Sequence, residues 1–409
     1  MLQQPGLTPP PPCARAGAPT EAQFADFGYQ PYTDAEATFL AGHYAGLSVE
    51  KCSGPNNTEE VVWANSKLVK SKNPATKMVF YWAVDQGALG CYGDAVTRPY
   101  LSNPSLWLKD DAGAHIYPSP NAAPVMDYCS PAARAWWTGV PLGGAGSPQA
   151  PWVDGVLADG IGYGVAGANC FRPSQRISPD RCNALIACKG QMMREMQALL
   201  NATNGGVVLG NGLVWYPFPN GDPTHNAFTL GDQRGIFNEH TAVFESVLAD
   251  GSLNTSLTAT MIDTLNGAAA MGKVVVVALW PGPLVGFGAG GEPVWPNNAQ
   301  PKTIADWKPV MLRKAAFAEA FYLTVASPRT YMQYMLWYDG FSQGVLPCDD
   351  APASCVAPNS ATWYPDFVKP LGPPLGPAVR TGNVWVRHFA RATSTLDLDN
   401  PDASSVVFT

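Results

Sequence analysis

The sequence predicts an α/β protein: a (β/α)8 TIM barrel with a small C-terminal β appendage. Three observations carry this. Eight short apolar runs recur along the chain, helical patterns separate most of them, and each run is nearly continuous in apolar residues, as parallel strands covered on both faces must be. An open doubly wound sheet is the rival. It is weakened because no Gly-rich phosphate loop follows the first run.

In order, the runs are QFADFGY (23–29), YAGLSVEKCS (44–53), KMVFYWAV (77–84), WVDGVLADG (152–160), GVVLGNG (206–212), RGIFNEH (234–240), KVVVVALWPG (273–282) and YMQYMLWYDG (331–340). Helical patterns lead into several of them. DAEATFLAGHY precedes the second and PAARAWWTGV the fourth. RCNALIACKGQMMREMQALLNA, with apolar residues at three-to-four spacing, precedes the fifth. TSLTATMIDTLNGAAAMG and WKPVMLRKAAFAEAFYLTVA precede the seventh and eighth. Residues 1–20 read as a Pro-rich disordered tail, and residues 21–365 as the barrel. Over 366–409 the texture changes to turn residues and short alternating strands (VWVRHF, TSTLDL, SVVFT), a β-rich appendage with a structural role.

Composition narrows the partners. The 409 residues suffice for one such barrel, 46% are hydrophobic and only 14% charged, and the net charge is −7. Without a basic stripe, nucleic acid and anionic membrane are poor expectations as partners, and no apolar stretch is long enough to span a membrane. The 13 Trp, 15 Tyr and 16 Phe suit a protein that binds neutral, hydroxyl-rich ligands by stacking, although a large core uses the same residues. Nine cysteines occur without metal-ligand spacing. Most sit in loops, which favours disulfides and an oxidising compartment. Cys348 and Cys355 can close one loop, Cys170, Cys182 and Cys188 cluster in another, Cys91 and Cys129 flank a third, and Cys13 is left over. Sequons at Asn56, Asn201 and Asn254 are compatible with secretion, while MLQQPGLTPPPPC has no signal-peptide character. These features predict an extracellular or cell-surface monomer that needs no metal or organic cofactor.

In a barrel, residues at the C-terminal ends of strands line the site. Those ends supply Asp26, Glu50 with Lys51, Tyr81 with Trp82 and Asp85, Asp159, Asn211, Glu239 with His240, Trp280, and Trp337 with Tyr338 and Asp339. Asp154 starts the fourth run and caps the strand entry. Asp159 ends it and reaches the active face, unless it only caps the turn at Gly160. Glu239 ends the sixth run, with a helix-dipole role as its alternative. Carboxylates on strands four and six face each other across a barrel mouth, which is the arrangement glycosidic cleavage requires. Asp26, Glu50, Lys51, Tyr81, Trp82, Asn211, Trp280, Trp337 and Tyr338 are the candidate substrate contacts, the tryptophans as stacking walls or as core. His43, His115 and His225 sit in no motif, there is no G-x-S-x-G, and GFGAGG (286–291) lacks the lysine of a phosphate loop.

Taken in order, ADFGYQPYT, KMVFYW, LWLKDDAG, VMDYCSPAARAWW, VDGVLADG, GIFNEH and the tail KPLGPPLGPA…NVWVRHF resemble TIM-barrel glycosyl hydrolases, in particular the hypothetical glycosyl hydrolase fifteen family, over residues 23–400. The resemblance implies Asp159 as nucleophile, Glu239 as acid/base and a retaining outcome on a polysaccharide. One departure is RHFARATST, which lacks the glycine such tails carry and leaves the shape of the appendage open. Two other readings remain: a catalytically silent glycan-binding barrel, and a polysaccharide lyase with Lys51 or Tyr338 as base.

Overall fold

The computed structural model describes residues 24–27, 31–49, 59–84, 93–117, 123–143, 152–161, 170, 176–203, 205–211, 235–241, 247–248, 250–279, 286–287, 293–294, 304–334, 367 and 369–409. The elements follow as β1 (Phe24–Phe27), α1 (Asp34–His43), β2 (Gly46–Val49), α2 (Glu59–Lys72), β3 (Lys77–Ala83), α3 (Asp94–Leu101), α4 (Pro131–Gly139), β4 (Gly155–Asp159), α5 (Pro179–Thr203), β5 (Val207–Asn211), β6 (Gly235–Thr241), α6 (Thr255–Ala270), β7 (Val274–Leu279), α7 (Ile304–Val325) and β8 (Thr330–Tyr334). Each of the eight expected runs overlaps one of these strands, with β6 and β8 each reaching one residue beyond its run. Three of the helices start where a side chain satisfies their first N–H groups. Thr33 and Glu36 form a capping box on α1, Ser130 followed by Pro131 opens α4, and Asn254 caps α6.

The eight strands form one parallel sheet in chain order, β1 through β8, with helical crossovers between most neighbours. The first and last strands lie side by side. No hydrogen-bonded pairing of β8 with β1 occurs among the described residues, so the structure establishes an α/β protein with an eight-stranded parallel sheet. Alternation along the strands sorts their side chains between two faces. Val79, Tyr81, Ala83, Leu157, Leu209, Val276 and Ala278, from four different strands, pack on one another on the inner face. Leu47, Val49, Met78, Phe80, Trp82, Val156 and Val208 face the helices of the first half, and Val275, Val277 and Leu279 those of the second. Gly235 shows how tightly the inner face is filled: a Cβ there would lie 2.3 Å from Leu209 Cδ2.

The Asp154 carboxylate, just ahead of β4, is buried against the Lys70 ammonium. It also accepts from Met78 N at 2.8 Å and lies 3.4 Å from Lys77 Nζ. It thereby ties α2, β3 and β4 together at the strand entry, at the opposite end from Asp159. Two disulfides, Cys129–Cys188 and Cys170–Cys182, converge on α5. The partner of Cys129 is therefore Cys188. The loop-flanking pair Cys91–Cys129 is corrected, because α4 and α5 pack side by side and bring residues 59 apart in sequence together. Cys13, Cys91, Cys348 and Cys355 lie outside the described residues.

Beyond β8, four strands form an antiparallel sheet: β9 (Val379–Thr381), β10 (Val384–Phe389), β11 (Ala392–Asp397) and β12 (Ser405–Phe408). Trp385, Phe389 and Leu396 share a core with Phe317 and Phe321 of α7. Arg387 Nη1 donates to Leu323 O at 2.7 Å and Ala326 O at 2.8 Å, filling carbonyls left open at the end of α7.

Asp154→Ala strands the Lys70 charge in a buried site and is expected to cost about 3–5 kcal/mol in chemical denaturation. A loss below about 1 kcal/mol contradicts the structural role given to this pair. Paired Cys129→Ser and Cys188→Ser substitutions release a 59-residue separation and should remove about 2–4 kcal/mol of stability, read by the same titration.

Candidate active site

Asp159 closes β4 on the inner face. Its register partner on β3 is Ala83, and Leu157, two residues earlier on the same side of the strand, lies opposite Tyr81. Tyr81 therefore points along the inner face toward the strand ends, and its hydroxyl donates to Asp159 Oδ2. On the other side, Asn211 at the end of β5 gives its Nδ2 to Asp159 Oδ1 at 2.7 Å, and Gly160 N donates to the same oxygen at 2.8 Å. Tyr81 and Asn211 are buried, while Asp159 is only partly covered. An ionised carboxylate has only acceptors, and here three donors converge on it. The turn-capping role at Gly160 is thus present together with the inward placement, and the two coexist on one side chain.

Glu239 and His240 lie within β6, short of its end. The pairing of β6 with β7 slips here: Asn238 stands opposite Val277 and Thr241 opposite Leu279. Two residues, Glu239 and His240, therefore oppose the single inward residue Ala278, which is a β-bulge. Bulges re-aim side chains at functional rims, and nothing in the apolar pattern of GIFNEH announces one. On β1, Asp26 pairs in register with Ser48, whose side chain is buried on the inner side.

Trp82 is the clearest correction. It faces away from the inner surface, is 2% exposed, and donates from its Nε1 to Trp137 O at 3.0 Å. Trp137 returns a bond from its own Nε1 to Ala83 O at 3.0 Å. The pair joins β3 to α4, and no sugar ring reaches Trp82. Alternation decides this, because Tyr81 and Trp82 are neighbours and only one can point inward. Glu50, Lys51, Asp85, Trp280, Trp337, Tyr338 and Asp339 lie outside the described residues.

Two inner-face polar residues escaped the strand-end reading. Ser48 is fully buried in the middle of β2, and Gln333 is 1% exposed on β8, opposite Ala278 and so level with the β6 bulge. The signal was the alternation in GLSV and TYMQY, which puts one polar residue in the inward register of each. Among the described residues no group of three His, Cys, Asp or Glu could hold a metal ion, and no helix is long and apolar enough to cross a membrane.

No family model matches the chain, and no curated protein matches it. Solved structures are similar at a distance. A noncanonic maltogenic alpha-amylase from Thermotoga neapolitana shares 9% identity at a TM-score of 0.48, over 92% of this chain and 86% of that one. A GH31 dextranase from Flavobacterium johnsoniae shares 10% at 0.45, over 80% of this chain and 38% of that one. A GH10 endoxylanase from a sugarcane soil metagenome shares 11% at 0.40, over 83% and 90%. Likeness of this size assigns neither a family nor an activity, and the hypothetical glycosyl hydrolase fifteen family is not shown.

The Tyr81–Asp159 contact is testable by a double-mutant cycle. Tyr81→Phe alone should cost about 1–3 kcal/mol, and coupling with Asp159→Asn should reach at least about 0.5 kcal/mol. Additive effects in urea denaturation would mean that the hydroxyl does not hold the carboxylate.

Proposed function

We propose that this chain is a closed (β/α)8 glycoside hydrolase that cleaves a polysaccharide by a retaining two-carboxylate reaction. The observation that carries the reading is the Asp159 carboxylate, turned inward at the C-terminal end of β4 and fixed there by Tyr81 and Asn211. Part of the Asp159 surface stays open at the strand end, so the carboxylate is held and yet within reach of a ligand. Glu239, two strands on, lies in the bulge opposite Ala278. Acids on strands four and six can then stand on opposite sides of a glycosidic bond.

In this mechanism Asp159 Oδ attacks the anomeric carbon as the bond to the leaving oxygen breaks, and Glu239 gives that oxygen its proton. The ester so formed is hydrolysed by a water that passes a proton back to Glu239, and Asp159 returns to its ionised state. Tyr81 and Asn211 hold the nucleophile at one angle throughout, which limits the reorganisation the reaction requires. Asp26, Glu50, Lys51, Trp280, Trp337 and Tyr338 supply contacts to the sugar rings. The chemistry calls for no metal or organic cofactor. The two disulfides fit an oxidising compartment, so the enzyme acts outside the cell or at its surface, as a monomer.

Reducing-end release from neutral, uronic and amino-sugar polysaccharides tests the reading, with Asp159→Asn and Glu239→Gln beside the wild type. One substrate should be cut, and each substitution should lower kcat by about a thousandfold or more with the fold retained in circular dichroism. Glycan bound but left uncut by all three would identify a binding barrel. Products that absorb in the ultraviolet would identify a lyase.

A further inference from the structure

Lys189 is a buried cation that the two-carboxylate chemistry leaves unused. It sits on α5 with 1% exposure, where a helical lysine would ordinarily extend into water. Its Nζ donates to Ile161 O at 3.0 Å, two residues past Asp159, and stands 5.3 Å from the centre of the Tyr128 ring. The Tyr128 hydroxyl in turn donates to Val84 O at 3.1 Å, and Val84 N donates to Asp159 O at 2.8 Å. Lys189 and Tyr128 therefore grip the ends of β4 and β3 from the helix side, while Tyr81 and Asn211 grip the carboxylate from the inner side. The Cys129–Cys188 disulfide joins the residues next to Tyr128 and Lys189 in the chain. Arg134 Nη1 holds the same corner through Tyr128 O at 3.0 Å and Cys129 O at 3.1 Å. So many constraints on one buried ammonium serve a position, and the position lies behind Asp159.

We propose that Lys189 is a positioning residue for Asp159: it clamps the turn that follows the carboxylate and keeps a fixed positive charge behind it. The role rests on the hydrolase reading, in which Asp159 must be aimed and ionised. Consecutive Cα atoms are about 3.8 Å apart, so a charge bonded two residues away lies on the order of 10 Å from the carboxylate. At an effective dielectric of about 20 that charge is worth about one pH unit to the ionised form. Tyr81 is a titratable group whose hydroxyl meets the Asp159 carboxylate from the inner side.

The test is the titration of the Asp159 side-chain carboxyl, followed by carbon-13 NMR on the full chain without substrate and assigned with Asp159→Asn. In Lys189→Met, which keeps the length and loses the charge, the midpoint should rise by about one pH unit; Lys189→Arg should restore it. The acid limb of kcat/KM should move with it, with KM nearly unchanged. An unchanged midpoint in a folded Lys189→Met overturns the proposal. Should that variant not fold, Lys189→Gln retains a donor for Ile161 O and gives the same reading; if neither folds, the role is structural and the proposal fails. The titration needs no activity. A chain that cuts no polysaccharide therefore sinks the hydrolase reading and still leaves Lys189 to be decided.

Discussion

A carboxylate inside a parallel sheet is costly unless donors meet it, and Asp159 is met from three directions. That requirement fixes much else. Tyr81 reaches Asp159 only while β3 and β4 keep a register in which Leu157 stands opposite Tyr81. Asn211 reaches it only while β5 ends level with β4. Slipping either pairing by one residue would turn a donor toward the helices and leave the charge unmet. The register of three strands and the geometry of one carboxylate thus hold each other in place.

The two aspartates of WVDGVLADG show how one short strand carries two opposite uses of charge. Asp154 is paired with a buried lysine and a backbone amide, and it joins elements where the strand begins. Asp159 is held by neutral donors and keeps part of its surface open where the strand ends. A charge neutralised by an ammonium is suited to holding a fold. One held by dipoles keeps its negative character, and that is the form in which it can act on a ligand.

The strand order was legible because each strand is a compact apolar run set off by polar or turn residues. The positions of Asp159 and Asn211 at the ends of their strands were legible, because an acid or amide closing an apolar run is out of place in a core. The face of Trp82 was not legible: KMVFYWA is apolar or aromatic on both sides, so its alternation has no phase until the neighbours are packed. The bulge on β6 was hidden because an extra residue in a strand leaves no mark on composition. Lys189 was hidden for a different reason. A lysine in an amphipathic helix reads as a solvent-facing residue, and only the tertiary arrangement turns it inward. The pairing of Cys129 was likewise decided by helices meeting in space, since spacing along the chain carries no such information.

The helix-side packing falls into two separate clusters, one built from residues between Tyr32 and Val208 and the other from residues between Ala259 and Leu398. Both described disulfides belong to the first, and the C-terminal sheet is fused into the second. The two halves are thus insured against different injuries. Among the described residues, a reductant attacks the first, and loss of the final forty residues strips the second. Mutational drift is partitioned in the same way: helices α6 and α7 can be rewritten together with the terminal sheet, while the segment leading into α4 stays bound to α5 by a covalent link that substitution elsewhere does not relax.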